Sequence, residues 1–348
     1  MKTLLKMNLR RWFQYLVFWT FWIITLLFGV FLGLDAPTNN NIAFSPGFEL
    51  LSNLLYMLAM IFTAMICMQH KNGMLRQKVI TGKRKGQIFL AELFAAMTAS
   101  AALWFALLAP VVCIAYPVIR HLPPYRMAIA GLSMLMSFLI TAALSTVFGM
   151  LFRRQIPALL CCLLAVAAMV AAAEIIPHAL EIPELFVSRL QYAEPWEISS
   201  YQIEHGEYNG KTAWIETLYF PKESGIHWST ENILVDKTGS PVDSLGNPLP
   251  EEMKPLQKER EVREYVHEPL RSVITVIDRF NPFRTTGSAS EQFHYEMNEE
   301  IAPELKKKNQ ANRDEAFAVI RTYLPWQAGM IALTGLAGWL LFRRKELL

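Results

Sequence analysis

Residues 12–33 read WFQYLVFWTFWIITLLFGVFLG, twenty-two positions without one charged side chain. A helix that crosses the hydrocarbon core of a bilayer needs about 20 predominantly apolar residues, and this run meets that length. Lys2, Lys6, Arg10 and Arg11 precede it, which imitates a secretory signal. The run is about twice as long as the apolar part of such a signal, and no small-x-small cleavage site follows, so it reads as a retained span.

Five more runs of this kind follow, at 49–68, 88–116, 127–152, 156–176 and 324–342. The second is the weakest, because Glu49, Ser52 and Asn53 crowd its start. The third is long enough to tilt, or to break at Pro110 ahead of Pro117. The 348 residues are 53% hydrophobic and 18% charged, which excludes an ordinary soluble protein. A net charge of +3, concentrated in short loops, gives no footprint for nucleic acid. Cys67, Cys113, Cys161 and Cys162 all fall inside apolar runs, so they read as small buried hydrophobes rather than disulfides or metal ligands.

Lysine and arginine in the short loops set the orientation. With the N-terminus inside, the inner loops collect fifteen cations, among them Arg153, Arg154, Arg343, Arg344 and Lys345; the short outer loops hold Arg120 and Arg126. Both termini are therefore expected in the cytoplasm, and residues 177–322 outside. Leu4, Leu5, Leu9 and Trp12 alternate with the N-terminal cations as in a helix lying in the interface. Small residues crowd spans three to five (AELFAAMTASAA, AVAAMVAAAE), as in helices that approach closely in lipid, within one bundle or against a second copy.

The expected fold is thus an α-helical polytopic membrane protein with six transmembrane helices. Residues 1–11 form an interfacial amphipathic helix. Residues 12–176 hold helices one to five, with a cytoplasmic loop at 69–87. Residues 177–322 form an extracellular α+β domain, and 323–348 the sixth helix and a cytoplasmic tail. In the outer segment TAWIETLYF and ENILV suit strands, and DKTG after ILV reads as a hairpin turn. Val262, Val266, Leu270, Val273, Ile274 and Ile277 make one face of a helix; a second helix runs into the last span, interrupted near Pro303. His205, His227, His267 and His294 lie among carboxylates, but no HExxH, CxxC pair or nucleophile elbow accompanies them. Glu264 and Glu268 in EYVHE read as a solvated helix face. Inside the spans, Glu92 sits a turn into the third and Glu174 near the outer end of the fifth. Intramembrane carboxylates are functional candidates, and both are candidates for gating.

The loop HKNGMLRQKVITGKRKGQ, residues 70–87, carries six cations and no anion. Positive-inside topology needs only the charges. The glycines propose more: Gly73 and Gly82 bracket a short helix in which Leu75 and Val79 form an apolar i, i+4 pair. Arg76, Lys83, Arg84 and Lys85 are available to acidic partner groups. NGMLRQKVITGKRKGQIFLAEL resembles the segment after the second span in permease subunits of type 2 ATP-binding-cassette exporters, in particular Firmicutes permeases of lantibiotic and bacitracin-type export or immunity. Asn72, Gly73, Leu75, Arg76, Lys78, Ile80, Gly82, Lys83, Arg84, Ile88 and Leu90 stand in the corresponding places; Met74 and Gln77 depart from the pattern, which has Thr and Asn there.

The resemblance implies a membrane subunit that forms a translocation path and couples through residues 71–86, with Lys78 and Val79 among them, to a separate ATPase. It implies ATP and magnesium on that partner, a second identical or related permease, and residence in a bacterial plasma membrane among its lipids. It also implies a peptide or lipid-like substrate, as in antimicrobial-peptide resistance. The chain has no GxxxxGK[ST], so no cofactor and no hydrolysis are expected of it. The rival expectations are an integral-membrane sensor or enzyme acting through the outer domain, and a membrane scaffold.

Overall fold

The computed structural model describes residues 1–38, 48–119, 122–181, 185–193, 200–208, 210–221, 227–228, 234–238, 240–242, 247–248, 268–292 and 303–344. Among them six helices are long and apolar enough to cross a membrane, over Leu16–Leu34, Leu51–Lys71, Lys85–Tyr116, Pro124–Leu151, Gln155–Pro177 and Asn309–Arg344. The chain is a multi-pass α-helical membrane protein. It divides into two compact units, Met1–Ile175 with Ile277–Leu348, and Ile176–Val276.

The first unit is the helical bundle. It opens with α1 (Lys2–Gln14) and α2 (Leu16–Thr38). The expected boundary at residue 11 moves to Tyr15, because Leu4, Asn8 and Trp12 share one buried face at i, i+4, i+8 and hold Trp12 in α1. Next come α3 (Phe48–Lys71), the short α4 (Met74–Ile80) and α5 (Lys85–Ile119). The α5 helix runs unbroken through Pro110. There α2 packs hard against it: a Cβ built on Gly29 would stand 2.4 Å from the Leu107 carbonyl oxygen, and one on Gly33 3.2 Å from that of Pro110. Only glycines in GVFLG permit that approach, the small-xxx-small device of helices in lipid.

At the centre lies α6 (Pro124–Leu151), packed on α3, α5 and the last helix. Ser133, Ser137, Thr141 and Ser145 repeat at i, i+4 along it, and all are fully buried. Small hydroxyl residues let neighbours close in while their hydrogens find carbonyls: Thr141 Oγ1 donates to Ser137 O at 2.8 Å. The fifth span, α7 (Gln155–Glu181), continues through Pro177 rather than ending there. A proline near the last turn removes one hydrogen bond without ending a long helix. Of the four cysteines, Cys67 and Cys162 are buried, but Cys113 is exposed on α5, in a lipid-facing position.

Two helices are described before the last span: α8 (Glu268–Phe280) and α9 (Arg284–Gln292). The final α10 (Pro303–Arg344) is one continuous helix starting at Pro303, where proline is favoured because its missing N–H has no intrahelical partner. The expected helical face at Val262 and Val266 and the stretch 293–302 of the second expected helix lie outside the described residues, whereas Leu270, Val273 and Ile274 fall in α8 as expected.

The second unit carries β1 (Leu185–Ala193), β2 (Ser200–Tyr208) and β3 (Lys211–Pro221) in the order β1-β3-β2, β1 parallel and β2 antiparallel to β3. TAWIETLYF is the central strand, and Val187 and Ala213 are buried on the sheet. Of ENILV, two residues form β5 (Leu234–Val235) against β4 (His227–Trp228). The chain turns after Val235 as expected: Asp236 Oδ1 accepts from the amides of Thr238 at 2.8 Å and Ser240 at 2.9 Å, and Val235 bridges Pro241.

Candidate functional site

The basic loop folds as its glycines predict. Gly73 takes φ 68° and Gly82 φ 77°, the left-handed region open to glycine at little cost. At the C-terminal end the Lys83 amide donates to Lys78 O at 3.2 Å and the Gly82 amide to Val79 O at 3.0 Å. That paired closure lets α4 end abruptly. A seven-residue helix is not stable alone, so its position comes from the bundle beneath it.

What it rests on is only partly the expected pair. Leu75 is buried and Val79 half-buried against the core. Lys78, one of the coupling residues implied by the resemblance, turns inward and is 7% exposed. Its Nζ donates to Asn8 Oδ1 at 3.0 Å and Gln69 Oε1 at 2.9 Å. One lysine therefore ties α4 to the interfacial helix α1 and to the end of α3. The opposite face and the turn after it are open: Arg76, Ile80, Lys83 and Arg84 are all exposed, Ile80 by 70%. Asn72 is also exposed, and Lys85 is half-buried at the start of α5.

Beside this tie lies a second one. Glu92 on α5 is completely buried, and its partner is Arg11 of α1, 81 residues away. Trp12 Nε1 donates to the same carboxylate oxygen at 3.1 Å, and the Trp12 ring packs on Phe62 of α3 at 4.5 Å between centroids. The cation comes from α1 rather than from the basic loop that immediately precedes α5. Buried charge is tolerable only when paired and hydrogen-bonded; here α1 supplies both the cation and the indole donor. Asn8, Arg11, Trp12, Gln69, Lys78 and Glu92 thus form one polar knot joining α1, α3, α4 and α5. Sequence patterning missed it, although Asn8 interrupting the Leu4–Trp12 apolar line was a usable signal.

Burial pushes the Lys78 ammonium down to about 8, with Arg11 adding to the effect and Glu92 opposing it. In the unfolded chain a lysine titrates near roughly 10.4, so between those values the unfolded state holds a proton that the folded state has released. Stability contributed by Lys78 consequently rises with pH across that window. The stability of wild type relative to Lys78→Met, from chemical denaturation in detergent, should rise by about 2 kcal/mol from roughly pH 7.5 to roughly pH 10. A difference that stays flat would place the ammonium in water.

The other end of the bundle holds a largely neutral counterpart. The α8–α9 turn inserts against α6: Ser133 Oγ donates to Thr285 Oγ1 at 2.6 Å, and Ser137 Oγ to Pro282 O at 3.0 Å. Gln327 of α10 donates to Thr285 Oγ1 at 2.8 Å and to the Asn281 carbonyl at 3.2 Å, while Asn281 Nδ2 reaches Met169 O of α7 at 2.7 Å. Four helices are pinned together there by these uncharged groups, and beside them the buried Asp278 of α8 pairs with Arg284 of α9 at 3.4 Å and accepts from the Tyr323 hydroxyl of α10 at 3.1 Å. Glu174 is exposed near the end of α7, at the opposite end of the spans from Glu92. Of the histidines, His205 and His227 fall in strands, and His267 and His294 lie outside the described residues. No group of three or more metal-ligating side chains occurs among the described residues.

Comparison with protein-family models, with curated proteins and with solved structures finds no match to this chain.

Proposed function

We propose that the chain is the membrane-spanning permease subunit of an ATP-driven exporter, coupled through residues 71–86 to a separate ATPase. The observation that carries this reading is the two-sidedness of α4. One face presents Arg76 and Ile80 to the surroundings, continued by the exposed Lys83 and Arg84 of the turn that follows; the other is tied by Lys78 to α1 and α3. A soluble motor needs such an element, exposed for grip and stiffly joined to the spans. Force applied to α4 passes to α3 directly, and to α5 through α1 and the Arg11–Glu92 pair. Nucleotide-driven movement then becomes a shear of packed helices.

On this reading α4 and both termini face the cytoplasm of a bacterium, and the extracellular domain is the strand-bearing unit Ile176–Val276, shorter than the expected 177–322 because residues from Ile277 on belong to the helical unit. The short-loop cations support that orientation. Two permease copies, identical or related, line one path, and ATP and magnesium act on the partner. The substrate is a small amphipathic peptide or lipid-like compound, and its expulsion confers resistance. Co-expression with a stand-alone nucleotide-binding ATPase of the same organism should yield a complex that hydrolyses ATP; a chain that purifies apart from every such ATPase would refute the coupling. A cysteine introduced near residue 239 should be labelled by an impermeant reagent in intact cells, and labelling only after permeabilisation would reverse the orientation.

A further inference from the structure

At the basic end of the bundle a second feature lies beside α4. A groove of about 980 Å³ opens between the end of α3, the flank of α4 and the first turn of α7. Lys71, Arg76, Arg153 and Arg154 line it together with His70, and no carboxylate is among its lining residues within the described part of the chain. It takes in Gln155–Pro157, the first turn of a 27-residue helix, where amides lack intrahelical acceptors and the helix dipole favours an anion. The groove is not a purely polar socket. Its rim includes Met68 and Ile156, which are 42% and 72% exposed. From Ile156 an open aliphatic stripe descends α7 through Leu160 and Leu164, 55% and 68% exposed, at i, i+4, i+8. α7 is a membrane span, so this stripe faces lipid.

We propose that this groove binds an anionic phospholipid, its phosphate held by Lys71, Arg76, Arg153 and Arg154 and its acyl chain laid along Ile156, Leu160 and Leu164. Charge complementarity selects the headgroup. The continuity of the cationic socket with a lipid-facing stripe selects a lipid over an acidic protein segment, which could fill the socket but not follow the stripe into hydrocarbon. Basic pockets at the membrane face between spans favour anionic headgroups for the same reason. The lipid would bridge the α6–α7 connection to α4, placing lipid composition in contact with the element read above as the coupling helix. The site itself depends only on the membrane character of the chain.

The test uses the full chain, purified in mild detergent and exposed to mixed micelles of dioleoylphosphatidylglycerol and dioleoylphosphatidylcholine, with retained lipid counted by native mass spectrometry. Wild type should retain the anionic lipid at least about tenfold over the zwitterionic one. Arg153→Gln with Arg154→Gln should abolish most of that preference. Arg153→Lys with Arg154→Lys should keep it, as should Lys306→Gln with Lys307→Gln on the remote part of α10. Equal retention of the two lipids by wild type needs no variant and overturns the proposal. So does displacement by inorganic phosphate at equal concentration, which would make the socket a site for a free anion. A glutamine pair that keeps its lipid preference but loses the ATPase would assign the groove to the partner protein and overturn it likewise.

Discussion

Glu92→Leu is expected to lower the unfolding free energy by about 3 kcal/mol, because it leaves the largely buried Arg11 guanidinium without its partner and removes the acceptor of the Trp12 indole. Thermal unfolding in detergent, followed by tryptophan fluorescence, reads the loss as a lower midpoint. Adding Arg11→Met should restore most of it, since a buried pair replaced by apolar groups of similar volume is often neutral. The indole N–H would still lack its acceptor, so roughly 1 kcal/mol should remain missing. A single variant as stable as wild type would mean that Arg11 reaches water when Glu92 is gone. The contact that holds α1 to α5 would then be dispensable. The same double variant separates stability from coupling: a stable bundle without the Arg11–Glu92 pair should still bind the ATPase but transmit less of its motion.

The second large effect concerns the outward face of the loop. Reversing Lys83, Arg84 and Lys85 to glutamate should weaken association with the partner ATPase by on the order of 100-fold, because like charges then meet across the contact. Lys83 and Arg84 are exposed and Lys85 is half-buried, so the bundle should insert and melt as wild type. Retained complex formation with substrate-sensitive hydrolysis would remove these residues from the interface. Lys78 must be left out of such a variant, since it belongs to the inner knot and its loss would damage the fold.

The spans were legible because a 20-residue apolar run has one explanation in a chain of this composition. The limits of α4 were legible for a different reason: Gly73 and Gly82 are the positions where only a glycine takes positive φ cheaply. Lys78 was not legible as an inward residue. A lysine among six cations carries no local mark of burial, and its acceptors come from Asn8 and Gln69, the first of them 70 residues away. The same holds for Glu92, whose partner lies 81 residues upstream. Helix α9 was missed outright. Its sequence, RTTGSASEQ, is poor in helix formers, and it is helical because Thr285 and Thr286 find partners on α6 and α10. The hydroxyl stripe Ser133, Ser137, Thr141 and Ser145 was readable at i, i+4 and marks the face on which that insertion sits.

The most direct measurement of the coupling role is site-specific photocrosslinking from α4. With benzoylphenylalanine in place of Ile80, whose side chain is 70% exposed on the outward face, illumination of the complex with the partner ATPase should yield one crosslinked species containing both chains. The same probe in place of Ile24, exposed on the lipid-facing side of α2, should yield none. Crosslinks from position 24 without any from position 80, in a complex that hydrolyses ATP, would contradict the assignment of α4 as the element the ATPase grips.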